Sequence, residues 1–407
     1  MDTAVLHDWL AFGVRWLHVI TGIAWIGSSF YFIALDLGLR KSRELPAGVT
    51  GEEWQVHGGG FYHIRKYNVA PAELPEHLTW FKWEAYATWL SGFALLAIIY
   101  YAGADLYLVD PTVMALTPWT AIGLSLASLA LGWIVYDGLC KSRLGRDDTQ
   151  LMLILFVLIV AMAWFYSQVF SGRAALLHLG AFTATLMSAN VFFVIIPNQK
   201  IVVADLQAGR QPAPHLGRAA KQRSIHNNYL TLPVLFLMLS NHAPLAFASP
   251  YNWLIAALVF LMGVSIRHFF NTMHAGRGMP HWTWGVTSAL FAVIVWLSAA
   301  ERPNAAATLA ELPAAQQRFA LAAGFRDVHD TVVMRCSMCH SAEPLWPGLA
   351  TAPKGVMLET EAQIAAHARD IYLQTARSHA MPPGNLTFLE ANERARIAAW
   401  YRAAAER

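Results

Sequence analysis

Apolar stretches of about 20 residues, the length a helix needs to cross a hydrocarbon layer roughly 30 Å thick, recur eight times before residue 301. They lie near 9–37, 83–103, 118–139, 151–171, 174–196, 228–248, 252–271 and 282–300. In lipid, every backbone N–H and C=O must be satisfied within the chain, which leaves helices or a closed barrel. Continuous apolar runs of this length select helices. The composition, 56% hydrophobic and 14% charged with 16 Trp, points the same way. The first stretch lacks a basic start and a small-residue cleavage site, so it reads as a retained span rather than a leader.

Orientation follows from Lys and Arg. With the N-terminus outside, the inner loops 38–82, 197–227 and their shorter neighbours hold nearly all basic residues before residue 301, from Arg40 and Lys41 to Arg267 and Arg277. The outer side has Arg15 and Arg173. Eight spans then leave the C-terminus outside. A faint repeat relates the two halves. Trp16-Leu17-His18-Val19 matches Leu176-Leu177-His178-Leu179, Tyr86 and Thr88 match Tyr229 and Thr231, and Gly132 matches Gly263. This suggests two four-helix repeats about an axis along the membrane normal.

The chain changes character after residue 300. Cys336-Ser337-Met338-Cys339-His340 is the covalent haem c attachment signal, in which two thiols bond the haem vinyl groups and the imidazole lies under the iron. A zinc site would need a second ligand pair, and the third cysteine, Cys140, lies far upstream in an apolar segment. Met381, in a proline-braced loop, is the expected distal ligand, with His379 as the alternative; a Met thioether opposite His raises the potential. Helices are expected over 316–333 and 389–404, making a segment that resembles a class I cytochrome c. The expected organisation is all-α. A polytopic bundle of eight spans covers 1–300, a linker 301–315, and a class I cytochrome c-like domain 316–407. Haem c is attached outside the bacterial inner membrane, so this domain and the N-terminus are expected to be periplasmic, in agreement with the charge asymmetry.

Ionisable residues inside spans are expensive and mark function. His18, His178 and His242 all fall in the outer half of the layer. They are candidate axial ligands for a non-covalent haem b, the plain alternative being an imidazole bonded to a backbone carbonyl. The segment around His18 also looks like the first helix of small membrane proteins that bind haem b.

A second polar group belongs to the inner face. His57-Gly58-Gly59-Gly60-Phe61-Tyr62-His63, Trp80-Phe81-Lys82-Trp83-Glu84 and Ser224-Ile225-His226-Asn227-Asn228-Tyr229 concentrate imidazoles, amides and aromatics, with Arg267 and Asn271 on the same side. The glycines allow close backbone approach and the aromatics offer stacking faces. An interfacial aromatic belt with snorkelling cations is the bland reading. The excess of imidazole and amide suits a planar, hydrogen-bonding, anionic heterocycle.

The inner-face stretches, including Trp80 to Tyr86 and His226 to Pro233, make the sequence similar to the bacterial membrane-bound urate hydroxylases with a fused C-terminal cytochrome c. The resemblance covers essentially the whole chain. It implies oxidation of urate to 5-hydroxyisourate without hydrogen peroxide. Electrons would leave through the fused cytochrome to a soluble cytochrome c or a terminal oxidase. On that basis His57, His63, Lys82 and Glu84 are candidate catalytic groups. Tyr62, Arg65, His226, Asn227 and Arg267 are candidate substrate contacts. A quinol-linked electron-transfer protein is the alternative, and a transporter with a regulatory cytochrome is a weaker one. The net charge of +3 carries no hint of nucleic-acid binding.

Overall fold

The computed structural model describes residues 3–41, 45–67, 74–111, 113–299, 308–347, 349 and 352–406. Helices lie over all eight expected ranges. They are α1 (Thr3–Gly38), α2 (Trp83–Leu95), α3 (Pro118–Lys141), α4 (Asp148–Val169), α5 (Gly172–Ala189), α6 (Pro214–Leu239), α7 (Asn252–His274) and α8 (Trp282–Ser298). α2 runs on through a π-helical turn, Leu96–Tyr101, and α5 through another, Asn190–Ile195, into Ile196–Gln207. Among the described residues, five helices are long and apolar enough to cross a membrane: α1, α3, α4, α5 with its extension, and α7. α1 shows large apolar side chains such as Trp9, Trp16 and Ile23 on its surface, as a helix facing lipid would.

Three expectations change. The chain is not purely helical, because residues expected as loop form an antiparallel hairpin, β1 (Val49–His57) and β2 (Gly60–Tyr67). The stretch 197–227, expected as an inner loop, is helical over Ile196–Gln207 and from Pro214 onward. A helix satisfies its own backbone groups whatever surrounds it, so it continues past the apolar segment into water. The single helix expected over 316–333 is two, α9 (Ala314–Ala320) and α10 (Phe325–Cys336), divided at Gly324 with φ +80°. Residues 301–307 of the expected 301–315 linker, with residue 300, lie outside the described residues.

The bundle core gathers Tyr136, Tyr166, Phe170, Leu179, Phe182 and Phe260, drawn from α3, α4, α5 and α7. A separate core of Val328, Val332, Ile364, Ile397 and Trp400 joins α10, α11 (Glu361–Ala366) and α12 (Ala391–Ala405). This C-terminal unit rests on the end of the bundle opposite the hairpin. Arg173 Nη2 donates to Lys354 O at 2.6 Å, Tyr107 Oη donates to Asp370 Oδ1 at 3.3 Å, and Arg369 Nη2 meets His7 Nδ1 at 3.0 Å.

Asp370 ties the two parts together. Burial opposes its charge, but the hydrogen bond and charge of His367, then Arg369 and Tyr107, outweigh it and hold the carboxyl below its ordinary 3.8. A depressed carboxylate stabilises the fold above its unfolded value, and that contribution is lost as pH falls through the lower folded value. The contact is therefore expected to hold at neutral pH and to loosen only in acid below 3.8. Asp370→Asn should loosen it at neutral pH, read as faster hydrogen exchange over residues 3–10 and 366–372. Unchanged exchange in that variant would remove Asp370 from the contact.

Candidate functional site

The inner end of the bundle begins with the hairpin. Gly58 and Gly59 occupy its two-residue turn with φ of +60° and +79°, the type I′ geometry that requires positive φ at both positions. The glycines are thus explained by the turn, with no ligand needed. Cross-strand pairing sets Trp54 opposite His63, and their rings stack at 4.1 Å and 6°. His63 Nε2 and Arg65 Nε both contact Glu52 Oε2, at 2.7 and 3.3 Å. His63 and Arg65 therefore already have a carboxylate partner. His57 is exposed beside the turn. With Tyr62, Gln55, Val56 and Tyr31 of α1 it lines an open pocket of about 510 Å³, and Tyr31 Oη donates to Gln55 Oε1 at 2.8 Å.

Lys82 and Glu84 stand at the start of α2. The Lys82 ammonium lies 5.7 Å from the Trp83 ring centroid. Glu84, in the first turn, has a buried Oε2 without a hydrogen-bond partner. A carboxylate there gains from the helix dipole and keeps a lone pair available as a proton acceptor.

His226 and Asn227 enter a buried network joining α3, the π-helical turn after α5, and α6. Tyr136 Oη is 2.8 Å from His226 Nδ1, and Asn190 Nδ2 donates to Tyr136 Oη at 2.8 Å and to Asn227 Oδ1 at 2.9 Å. Arg223 donates to Asn190 Oδ1 at 3.0 Å and to Asp137 Oδ1 at 2.7 Å, with its guanidinium over the Tyr136 ring. Tyr136, Asp137, Asn190 and Arg223 were not legible as a site. Asp137 was the available signal, an acidic residue inside an apolar stretch.

Arg267 belongs to a different group, made by α1, α6 and α7. Its Nε donates to Asn228 Oδ1 at 3.3 Å, its Nη2 to Asn271 Oδ1 at 3.0 Å, and its guanidinium lies 4.1 Å from the Phe30 ring centroid. The expected inner-face residues are thus divided among the hairpin, the start of α2 and two buried networks.

The outer histidines differ from one another. His178 is fully buried among Tyr100, Tyr166 and Phe170; its Nδ1 donates to Ala174 O at 2.8 Å and its Nε2 has no partner. His18 Nδ1 lies 3.0 Å from Thr88 O and 3.2 Å from Ser91 Oγ. Its ring occupies the space a Cβ at Gly92 would take, 2.8 Å from His18 Cε1. A carbonyl only accepts, so Nδ1 carries the proton in both rings and Nε2 keeps its lone pair. That is the form in which imidazole binds a metal. His242 ends a short 3-10 turn, Ser240–His242, and is exposed.

At the C-terminal unit, α10 ends on Cys336, and the N–H groups of Cys339 and His340 both donate to Cys336 O, at 3.1 and 2.9 Å. The three thiols of the chain are free. His340 Nδ1 donates to Val356 O at 2.8 Å, leaving Nε2 as the acceptor. Burial, partly offset by that bond, lowers the imidazole pKa and keeps the ring neutral. The Met381 backbone is pinned by a 2.8 Å bond to Gln374 O and by Arg394 Nη1, which donates to Met381 O at 3.0 Å. This donor set fits a thioether-bound haem with His and Met axial ligands. No cluster of three or more His, Cys, Asp or Glu suited to a metal ion occurs among the described residues. A haem iron draws only its axial ligands from the chain.

Residues 4–298 match the family model described as Urate oxidase N-terminal. No curated protein and no solved structure matches the chain.

Proposed function

The chain belongs to the urate oxidase N-terminal family, and on that premise we propose that it converts urate to 5-hydroxyisourate at the inner end of a membrane-embedded bundle. The observation that carries this reading is the family match, which spans the whole bundle. In the reaction urate and water give the hydroxylated product, two protons and two electrons, so the protein needs a proton acceptor and an electron outlet rather than peroxide formation. Glu84, with its unpartnered carboxylate oxygen, is the proposed base. His57 and Tyr62 stand at the open pocket through which a purine would enter, and Lys82 adds positive charge nearby in sequence. His63, Arg65, His226 and Asn227 are proposed beside them at the inner face, held there through His63 Nε2, Arg65 Nε, His226 Nδ1 and the Asn227 amide.

The outlet is proposed at the C-terminal unit. Cys336 and Cys339 would hold haem c covalently, and His340 and Met381 would ligate its iron. Haem c, when bound, accepts electrons one at a time and passes them to a soluble cytochrome c or a terminal oxidase. A single electron step across roughly 30 Å of hydrocarbon is too long for turnover. His18 and His178, with Nε2 free, are therefore proposed to hold a haem b between the two ends. The bundle lies in the bacterial inner membrane with its N-terminus and C-terminal unit periplasmic, as the Lys and Arg asymmetry supports.

The test is anaerobic. Urate added to the oxidised, purified protein should reduce haem c, while xanthine and quinol should not; fast reduction by quinol alone would replace this reading with a respiratory one. A pyridine haemochrome assay finding only haem c would remove the haem b proposal. Glu84→Gln is expected to slow urate-driven reduction by about 100-fold or more, the range for a general base, leaving the dithionite-reduced spectrum unchanged. A wild-type rate in that variant would place the base elsewhere.

A further inference from the structure

Two buried guanidiniums at the inner end are treated differently. Arg223 is matched by the Asp137 carboxylate at 2.7 Å. Arg267 is equally enclosed, at 5% exposure, yet its partners among the described residues are two neutral amide oxygens and a ring. A buried cation without an anion carries several kcal/mol of desolvation penalty. A helix-end arginine often meets that cost by reaching to water or lipid phosphate, but this one is covered by protein.

Asn228 shows a second unmet need. It is 1% exposed, and its Oδ1 accepts from both Arg267 Nε and Asn271 Nδ2, the latter at 2.9 Å. Two donors converging on one atom fix the amide orientation, since a flip would set three donors against each other. The other end, Nδ2, is buried and has no partner. A buried N–H left unpaired costs about 1–3 kcal/mol. The site therefore has an unmatched positive charge and an unmatched donor, both oriented, beside the face of Phe30.

We propose that Arg267, Asn228 and Asn271 form the anion-binding end of the purine site, with Phe30 as its stacking wall. The ligand is a planar monoanionic oxo-heterocycle, the urate anion under the function proposed above, on which this inference rests. The guanidinium fork takes adjacent acceptors and Asn228 Nδ2 takes a further carbonyl oxygen or ring nitrogen. α1 contributes to both places, Phe30 at Arg267 and Tyr31 at the open pocket under the hairpin. Asn271 thereby becomes a positioning residue that aims the charge, while Asn228 both aims it and contacts the ligand, and the hairpin becomes the rim of the site.

Equilibrium dialysis of labelled urate against the full-length protein in nanodiscs tests this apart from turnover. Arg267→Gln should weaken urate binding by about 100-fold, the loss of charge-assisted hydrogen bonds, and abolish the preference for urate over neutral hypoxanthine. Arg267→Lys should restore part of that preference, since charge returns without the fork. Phe30→Ala, which leaves every polar group in place, should weaken binding of both purines by about 10-fold, in line with a lost ring contact. Wild-type affinity in all three variants would overturn the site and leave urate oxidation standing. A wild-type protein that neither binds urate nor is reduced by it would overturn both.

Discussion

A Cys336→Ala/Cys339→Ala protein should carry no covalent haem and show no urate-driven absorbance change at the haem c α-band, the largest loss expected of any variant here. The two thiols end α10 and the turn after it, and under the proposed function each would form one thioether, so removing both leaves only His340 and Met381 to hold a haem. Haem-stained denaturing gels read the result directly, and stain persisting at full intensity would show that attachment lies elsewhere. Met381→Ala separates attachment from tuning. It should keep the stain and lower the midpoint potential by a sizeable part of the roughly 0.8 V over which axial ligands set haem potentials. A potential unchanged from wild type would shift the distal role to another group, with His379 next in the same loop.

Asp137→Ala should destabilise the bundle by about 3–5 kcal/mol, the range for removing one partner of a buried ion pair. Arg223 has 3% side-chain exposure and gives Asp137 a 2.7 Å bond. Without that carboxylate it keeps only Asn190 Oδ1 and the Tyr136 and Trp133 rings. Lys141, which also pairs with Asp137 at 2.6 Å, is largely exposed and can turn to water. The double variant Asp137→Ala/Arg223→Met should recover most of the loss, because neither charge is then stranded. Thermal unfolding followed by helical circular dichroism measures all three proteins. A single variant within about 0.5 kcal/mol of wild type, the range of ordinary surface substitutions, would show that the pair is solvated.

The eight helices were legible because each carries its own apolar run, five of them long and apolar enough to cross a membrane, and the Cys336–His340 pentad because its residues are adjacent in sequence. The hairpin carried a local signal too, Gly58-Gly59 between runs rich in aromatics and β-branched residues, but these glycines also admitted a ligand-binding reading. The C-terminal unit was expected on the side away from the inner loops. What it rests on there, Tyr107, Arg173 and the start of α1, is a matter of surfaces that meet only in the fold.

The inner site shows the limit most clearly. His226, Asn227 and Asn228 are consecutive and read as one cluster. On a helix each residue turns about 100° from the last, and the three side chains part. His226 goes to Tyr136, Asn227 to Asn190 and the carbonyl of Met187, and Asn228 to Arg267 and Asn271. The sequence alone determined which residues were polar enough to need partners inside an apolar bundle. Which partner each received, and that Arg267 and Asn228 were left wanting one more, was decided by the rotation and packing of α1, α3, α5, α6 and α7, because a buried charge or amide can be satisfied only by groups that other helices bring within about 3 Å.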